Sequence, residues 1–364
     1  MKKHKICKIL LVILAIFLCV AFYELLGICV AYKKQPEVSN TTKKETKNGS
    51  WNECSENTER AVIIEKNPEA LLQRVRLIKN AKKEIILSTF AFQSDESGKL
   101  ILGALHDAAD RGVHIRLLVD GMESWIDMEG NPYFYGLSSH ENVEIKLYNK
   151  ANPLKPWKMM GRMHDKYLIA DGKRYILGGR NTYNYFLGDF PGHKNYDRDV
   201  LVVCDEPEKE NSVNQLSEYF ETIWNQEDSG YFHNNKKLAN RKSVKNAVLE
   251  LQNGYQKYFE ENKERICDTD YTDETFETEK IALVSNPIHT GSKEPVVWYQ
   301  LGELMKNAKN RVKIHTPYII CNDMMYNTWE EIAENVSDFS IMTNSVANNG
   351  NPFGAADYAK NRNR

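Results

Sequence analysis

The chain has 364 residues, a formal net charge of −2 and a hydrophobic fraction of 41%, enough for a packed core in two modest domains or one large duplicated one. Charge near zero excludes the global basic excess that accompanies non-specific nucleic-acid binding. Seven cysteines without C-x-x-C spacing exclude a zinc framework; three of them (Cys7, Cys19, Cys29) lie in the N-terminal apolar stretch, and Cys54, Cys204, Cys267 and Cys321 are scattered.

In chain order, Lys2, Lys3, His4 and Lys5 precede an apolar run from Ile6 to Tyr32 that is long enough for a membrane-spanning helix. The run continues through Leu25-Leu26-Gly27-Ile28-Cys29-Val30-Ala31 without an A-x-A cleavage site, so an uncleaved anchor over 1–32 is expected rather than a signal peptide. Lysines flank the run on both sides in nearly equal number. The short N-terminal tail favours tail-in orientation, with the remainder of the chain outside. Residues 33–60 are polar, lack apolar periodicity and are expected to form a flexible linker.

Beyond the linker, Leu71, Leu72, Val75 and Ile78 fall on one face of a helix from Pro68 to Lys79. Glu84–Phe92 reads as a buried strand, Leu100–Arg111 as a second helix and Val113–Asp120 as a second strand. This alternation predicts a parallel α/β sheet. Residues 77–89 (LIKNAKKEIILST) and 304–316 (LMKNAKNRVKIHT) are identical at six positions with a constant offset of 227, and Phe339–Thr343 is a further strand candidate in the second copy. Two copies of one α/β unit are therefore expected. The organisation predicted is a first half over 61–225, a charged connecting segment over 226–278, and an incomplete second half over 279–364.

The segment that carries chemistry is Arg162–Asn181, RMHDKYLIADGKRYILGGRN. It predicts a hairpin: strand Tyr167–Ala170, an Asp171-Gly172 turn and a return strand Arg174–Leu177. Side chains alternate along a strand, so His164 and Lys166 point into the same space. Gly178 and Gly179 allow close backbone approach to a ligand, and Asn181 offers an amide donor. An imidazole can attack phosphorus to give a covalent intermediate. An ammonium and an amide can hold the negative oxygens of the transition state. This chemistry requires no metal.

The spacing His164-x-Lys166, four residues, Asp171, six residues, Gly178-Gly179-x-Asn181 resembles the His-x-Lys-x4-Asp-x6-Gly-[Gly/Ser]-x-Asn motif of the phospholipase D superfamily. The Gly-Gly-Arg-Asn form, Tyr196–Val203 (YDRDVLVV) and Leu105–Gly121 are most similar to C-type bacterial cardiolipin synthases, and HTPYI (315–319) and MTNSVANN (342–349) resemble the family's second half. The resemblance implies an α/β fold: a duplicated phospholipase D-like unit with a mixed, largely parallel sheet flanked by helices, preceded by one transmembrane helix. It implies His164 as nucleophile, Lys166, Gly179 and Asn181 as the phosphate-binding set, and Asp197 as a carboxylate that orients His164, with Asp199 as the near alternative. Asp171 belongs to the same catalytic motif, with bracing of the hairpin as its expected task.

The resemblance further implies a single-pass membrane enzyme with a phospholipid substrate, no cofactor, no metal and no nucleic-acid partner. The expected reaction is phosphatidyl transfer forming cardiolipin. The alternatives are a phosphodiesterase or nuclease of the same superfamily, or an inactive membrane protein. Applying the repeat offset to His164 puts a second His-x-Lys near position ~391. The chain is therefore expected to be C-terminally truncated before its second motif, or to complete the site as a homodimer. Tyr183, Tyr185, Phe186 and Phe190 are expected either at an amphipathic mouth or in the core.

Overall fold

The computed structural model describes residues 2–49, 59–204, 211–348 and 352–361. It divides into two compact units. The first comprises residues 1–34, 52–283 and 288–292, and the second comprises 35–51, 284–287 and 293–364.

In chain order, helix α1 covers Lys2–Tyr32 and α2 Asn40–Asn48. Then follow β1 (Arg60–Ile64), α3 (Asn67–Asn80), β2 (Glu84–Thr89), α4 (Glu96–Asp110), β3 (His114–Asp120), α5 (Gly121–Asp127), α6 (Pro132–Ser138) and β4 (Val143–Tyr148). The hairpin strands are β5 (Lys166–Ala170) and β6 (Arg174–Gly178), followed by β7 (Asp199–Val203), α7 (Ser212–Trp224) and β8 (Ser229–Tyr231). Helices α8 (Lys242–Glu261) and α9 (Lys263–Cys267) and the short β9 (Phe276–Glu277) complete the first unit. The second unit has α10 (Val296–Lys306), β10 (Arg311–His315), α11 (Asp323–Asn335), β11 (Asp338–Met342) and α12 (Pro352–Asn361), together with α2.

The first unit is built on a nine-stranded sheet of order β8-β4-β3-β2-β5-β6-β7-β1-β9. It is mixed, as expected, but not largely parallel. Only β2, β3 and β4 run parallel to their neighbours; every other pairing is antiparallel. The physical reason is connection length: β2 and β3 are joined through a helix, whereas β5 and β6 are joined by a tight turn that can only reverse the chain. Asp171 and Gly172, the first two residues of the three-residue turn 171–173, both have positive φ, 55° and 62°, the left-handed backbone of a tight hairpin turn.

Alternation along the strands splits the core into two faces. Ile85, Leu87, Ile115, Leu117, Leu168 and Ala170 pack with α3, α4, α6 and α8 on one side. Ile86, Leu118, Tyr167 and Ile169 pack with Val213, Leu216, Phe220, Ile223 and Trp224 of α7 on the other. A sheet between two helical layers is what strands apolar on both faces demand.

Two expectations change. The charged stretch 226–278 does not stand apart as a connector. Its β8 pairs with β4 and its β9 with β1, and Val244, Leu251, Tyr255 and Phe259 of α8 are buried in the first core. The polar stretch after α1 contains α2, with Ser39 accepting from Thr42 N at 3.1 Å and Gly49 N–H closing the far end on Thr46 O. Caps at both ends define this helix without any apolar stripe. Residues 50–58 of the expected linker, including Cys54, lie outside the described residues.

In the second unit β10 and β11 pair in parallel, from Arg311 opposite Asp338 to His315 opposite Met342. Their core holds Val312, Tyr326, Trp329, Ile332 and Val336. The order α10-β10-α11-β11 is the order α3-β2-α4-β3 of the first unit.

Asp171 is a brace. Its carboxylate accepts from the backbone N–H groups of Lys82 (2.9 Å), Lys83 (2.7 Å) and Glu84 (3.0 Å), clamping the hairpin tip to the start of β2. Replacing Asp171 with Ala is expected to cost about 1–2 kcal/mol, the lower part of the range for hydrogen bonds to a charged acceptor, because the amides of Lys82 and Lys83 are exposed and that of Glu84 only part-buried. Urea denaturation of the detergent-solubilised full chain measures this; an unchanged midpoint would show that water serves those amides equally well.

Candidate active site

Strand direction decides where the motif comes together. Strands β2 and β3 end where β5 begins, because β5 is antiparallel to β2: Thr89 lies opposite Lys166. Strand β6 ends and β7 begins at that same end, with Gly178 opposite Asp199. The last residues of β2, β3 and β6 and the first of β5 and β7 therefore form one edge, at the carboxyl ends of the parallel strands, where open α/β sheets place ligands.

His164 and Lys166 stand at this edge. Lys166 is the buried first residue of β5, and its Nζ donates back to the His164 carbonyl at 2.5 Å. The His164 ring is exposed on its outer side and stacks on Phe90, centroids 4.4 Å apart. Lys166 Nζ lies 5.2 Å and Arg162 Cζ 4.9 Å from the same Phe90 ring centre. Asp165, between His164 and Lys166, bonds Tyr219 of α7 on the opposite face, its Oδ2 accepting at 2.8 Å. Asn181 is buried and joined to the backbone next to Phe90, its Oδ1 accepting from Ala91 N at 3.2 Å. It also hydrogen-bonds Tyr183. Phe90 is thus the floor around which His164, Lys166, Arg162 and Asn181 gather.

The paired glycines serve a different purpose from the one the sequence predicts. A Cβ on Gly179 would collide with the carboxylate of Asp197, and one on Gly178 with that of Asp199. The absent side chains make room for two carboxylates of β7's entry, so Gly179 holds Asp197 rather than presenting open backbone to a ligand. Asp197 bears electrostatically on Lys166. The carboxylate that bears on His164 is instead Asp120. Asp120 is buried, caps α5 through Met122 N and Glu123 N, accepts from Met163 N at 3.1 Å, and pairs with Arg162 at 2.7 Å. Asp171 sits at the far end of β5, where it binds the amides of Lys82–Glu84, so the structure gives it no part at this edge.

Asp199 is committed to scaffold. It is fully buried and pairs with Arg74 at 2.9 Å and Arg180 at 3.2 Å, both buried as well. Arg180 also donates to Ile64 O, Glu65 O, Asn67 Oδ1 and Asp197 O.

Electrostatics suit a nucleophile and an anion. Desolvation, reinforced by the Lys166 and Arg162 charges and opposed by Asp120, pushes the His164 pKa down to about 4. Its imidazole is therefore neutral near pH 7, with a lone pair available. Desolvation also lowers Lys166, to about 8, against the raising effect of Asp165, Asp197 and Asp120. Lys166 keeps its proton at neutral pH. A neutral imidazole, a cationic amine and a primary amide are groups chemically able to attack and hold a phosphodiester.

Three participants were not assigned from sequence: Phe90, Asp120 and Arg162. Asp120 had a signal, an Asp at a strand end directly before a helix-starting glycine. Phe90 and Arg162 had none beyond proximity to the motif. Of the aromatics after the motif, Phe186 and Phe190 pack on the core, while Tyr185 is exposed.

Residues 74–224 match the family model described as "Cardiolipin synthase, PLD-like domain". They form a phospholipase D-like domain. An uncharacterised Helicobacter pylori protein is 28% identical over 315 residues, which cover 79% of this chain and 59% of that one. Cardiolipin synthase C of Escherichia coli is 30% identical over 154 residues, 38% of this chain and 31% of the relative. The chain thus spans 59% of the first relative's length and 31% of the second's, under two thirds of either. The solved structure of the phosphatidylserine synthase of Haemophilus influenzae aligns with a TM-score of 0.56 at 16% identity, covering 89% of this chain and 72% of its own. That likeness establishes a shared fold, in agreement with the α/β architecture above.

Within the phospholipase D-like domain Arg74, Asp199 and Arg180 form a buried charge cluster. Asp199→Ala would leave two buried guanidiniums without their carboxylate, a loss of about 3–5 kcal/mol. Chemical denaturation of the full chain reads this directly; a loss below about 1 kcal/mol would mean that water reaches both arginines.

Proposed function

We propose that this chain is a membrane-bound phosphatidyltransferase that forms cardiolipin from phosphatidylglycerol and a second phospholipid through a phosphohistidine on His164. The observation that carries the reading is the meeting of His164 and Lys166 over Phe90, with His164 neutral and Lys166 charged at neutral pH.

In the first step an imidazole nitrogen of His164 attacks the donor phosphorus. A P–N bond forms as the P–O bond to the departing alcohol breaks. Lys166 and the Asn181 amide hold the non-bridging oxygens. The departing oxygen takes a proton from an acid of a facing half-site, supplied by a second copy of the chain or by a second motif following the repeat. In the second step a hydroxyl of phosphatidylglycerol attacks the same phosphorus, gives its proton to that facing group, and the P–N bond breaks to restore neutral His164. Asp197, resting on Gly179, keeps Lys166 protonated, and Asp120 steadies the approach to His164 through Arg162 and Met163.

The lipid reading, rather than the nuclease reading, rests on α1. Lys5–Tyr32 is long and apolar enough to cross a membrane and is not buried in the protein. A tethered site works at high effective concentration on lipid, whereas a diffusing polynucleotide needs no anchor. The shared order of α3-β2-α4-β3 and α10-β10-α11-β11 supports a duplicated unit, with the second over 279–364.

The full chain reconstituted with phosphatidylglycerol and phosphatidylethanolamine is expected to form cardiolipin, and His164→Ala to form none. Labelled donor should leave an acid-labile adduct on the wild-type chain alone. The nucleophile must be deprotonated and Lys166 protonated, so kcat/KM should rise through about pH 4 and fall through about pH 8. Turnover that survives His164→Ala would end the reading.

A further inference from the structure

The edge that carries His164 is bordered by apolar side chains that the core does not use. On α5, directly after Asp120, Trp125 and Ile126 are 67% and 80% exposed. In the connection from β4 to β5, Leu154 is 78% and Met160 57% exposed, and Trp157 is 46% exposed. The two segments are neighbours: Met122 of α5 lines one crevice with Asn149, Lys150, Asn152, Lys155 and Lys158. Both segments are also tied to the site, since the connection ends in Arg162, Met163 and His164, and Arg162 pairs with Asp120 and Glu123. Large apolar groups exposed together beside a site mark a binding surface.

What covers this surface is indicated by α1. From Ile6 to Leu26 the helix runs about 30 Å at ~1.5 Å per residue, the thickness of a bilayer's hydrocarbon core. Its last turns lie against the same β4–β5 connection. Tyr23 donates its hydroxyl to Leu154 O at 3.0 Å, and Gly27 fits against Pro156 so closely that a Cβ would collide with it. Ala21, Glu24, Gly27, Ile28, Ala31 and Tyr32 are the less exposed face of α1, at helical spacing, while Phe22, Leu25, Leu26 and Val30 stay open. A connection packed on the end of a spanning helix sits at the membrane surface. Its indoles belong there, an apolar body with one polar N–H. The charges agree: Glu123 is paired with Arg162 and Asp228 with Lys158. Lys150 bonds a carbonyl and Lys155 borders the same crevice, two amines placed to meet anionic headgroups.

We infer that Trp125, Ile126, Leu154, Trp157 and Met160 form an interfacial face that inserts into an anionic bilayer around the mouth of the His164 site, so that substrate is taken from the membrane plane rather than from water. The inference rests on the lipid reading of that site, but its test does not depend on turnover. The full chain is reconstituted in vesicles of phosphatidylethanolamine and phosphatidylglycerol, the latter brominated on its acyl chains near the headgroup, and tryptophan emission is compared with non-brominated vesicles. Bromolipid is expected to quench the wild type, and the double variant Trp125→Phe, Trp157→Phe to lose most of the quenched component. Ile126→Gln with Leu154→Gln keeps both indoles and is expected to reduce their quenching by about half, as insertion becomes shallower. Equal quenching in the wild type and the Phe variant would overturn the inference. So would indoles at these two positions that are unquenched by bromolipid yet shielded from aqueous acrylamide, which would assign the face to a protein partner. Quenching as expected without any cardiolipin formed would keep the face and remove the phosphatidyl-transfer reading.

Discussion

Everything at the motif edge depends on one buried carboxylate, Asp199, held between the guanidiniums of Arg74 and Arg180. Buried charges survive only when paired, so this contact fixes α3 (through Arg74), the loop after β6 (through Arg180) and the start of β7 in one arrangement. Arg180 lies between Gly179 and Asn181. By bonding Ile64, Glu65, Asn67 and Asp197 it places both its neighbours. Asn181 is thereby delivered to Ala91, beside Phe90, and Gly179 is delivered beneath Asp197. Arg180 is committed to these scaffold contacts, and the positions of the residues on either side follow from it.

The second constraint is desolvation. His164 and Lys166 share one site, and the Lys166 charge disfavours a charge on His164. Burial lowers both, but from different starting points: the imidazole ends below neutrality and the amine just above it. One environment therefore yields a free base and a retained cation at the same pH, the pairing that nucleophilic attack on an anion requires. The three carboxylates near Lys166 keep this balance. Asp197 in particular can lie close only because residue 179 has no side chain.

What could be read from sequence follows how local each feature is. The hairpin, its turn and the shared direction of His164 and Lys166 are set within twenty residues, and α3, β2, α4 and β3 appear close to their expected bounds. Strand β2 ends early, at Thr89, because the chain turns there to bring Phe90 under His164. The proportion of parallel pairing was misjudged because helix–strand alternation is visible only through β4; the antiparallel half comes from hairpins and from β1, β8 and β9, which are short or bounded by polar sequence. Phe90, Asp120 and Arg162 join the site through sheet order, and that order is a long-range property absent from any window of the sequence. The reading of Gly178 and Gly179 as open backbone for a ligand fails for the same reason, since only the pairing of β6 with β7 shows what fills the space their side chains would take.

The same sheet order links chemistry to location. Connections leaving the carboxyl ends of β3 and β4 start at the edge where β5 begins, so the segments that frame His164 also carry the exposed apolar residues Trp125, Ile126, Leu154, Trp157 and Met160. One of them, the β4–β5 connection, meets the end of α1. An anchor attached anywhere else on the first unit would tether the domain but leave its orientation free. Attached here, a membrane anchor of the kind proposed would turn the His164 edge toward the bilayer. The exposed indoles and aliphatic side chains on α5 and in the connection would then lie on the side facing lipid, where their exposure to water ends.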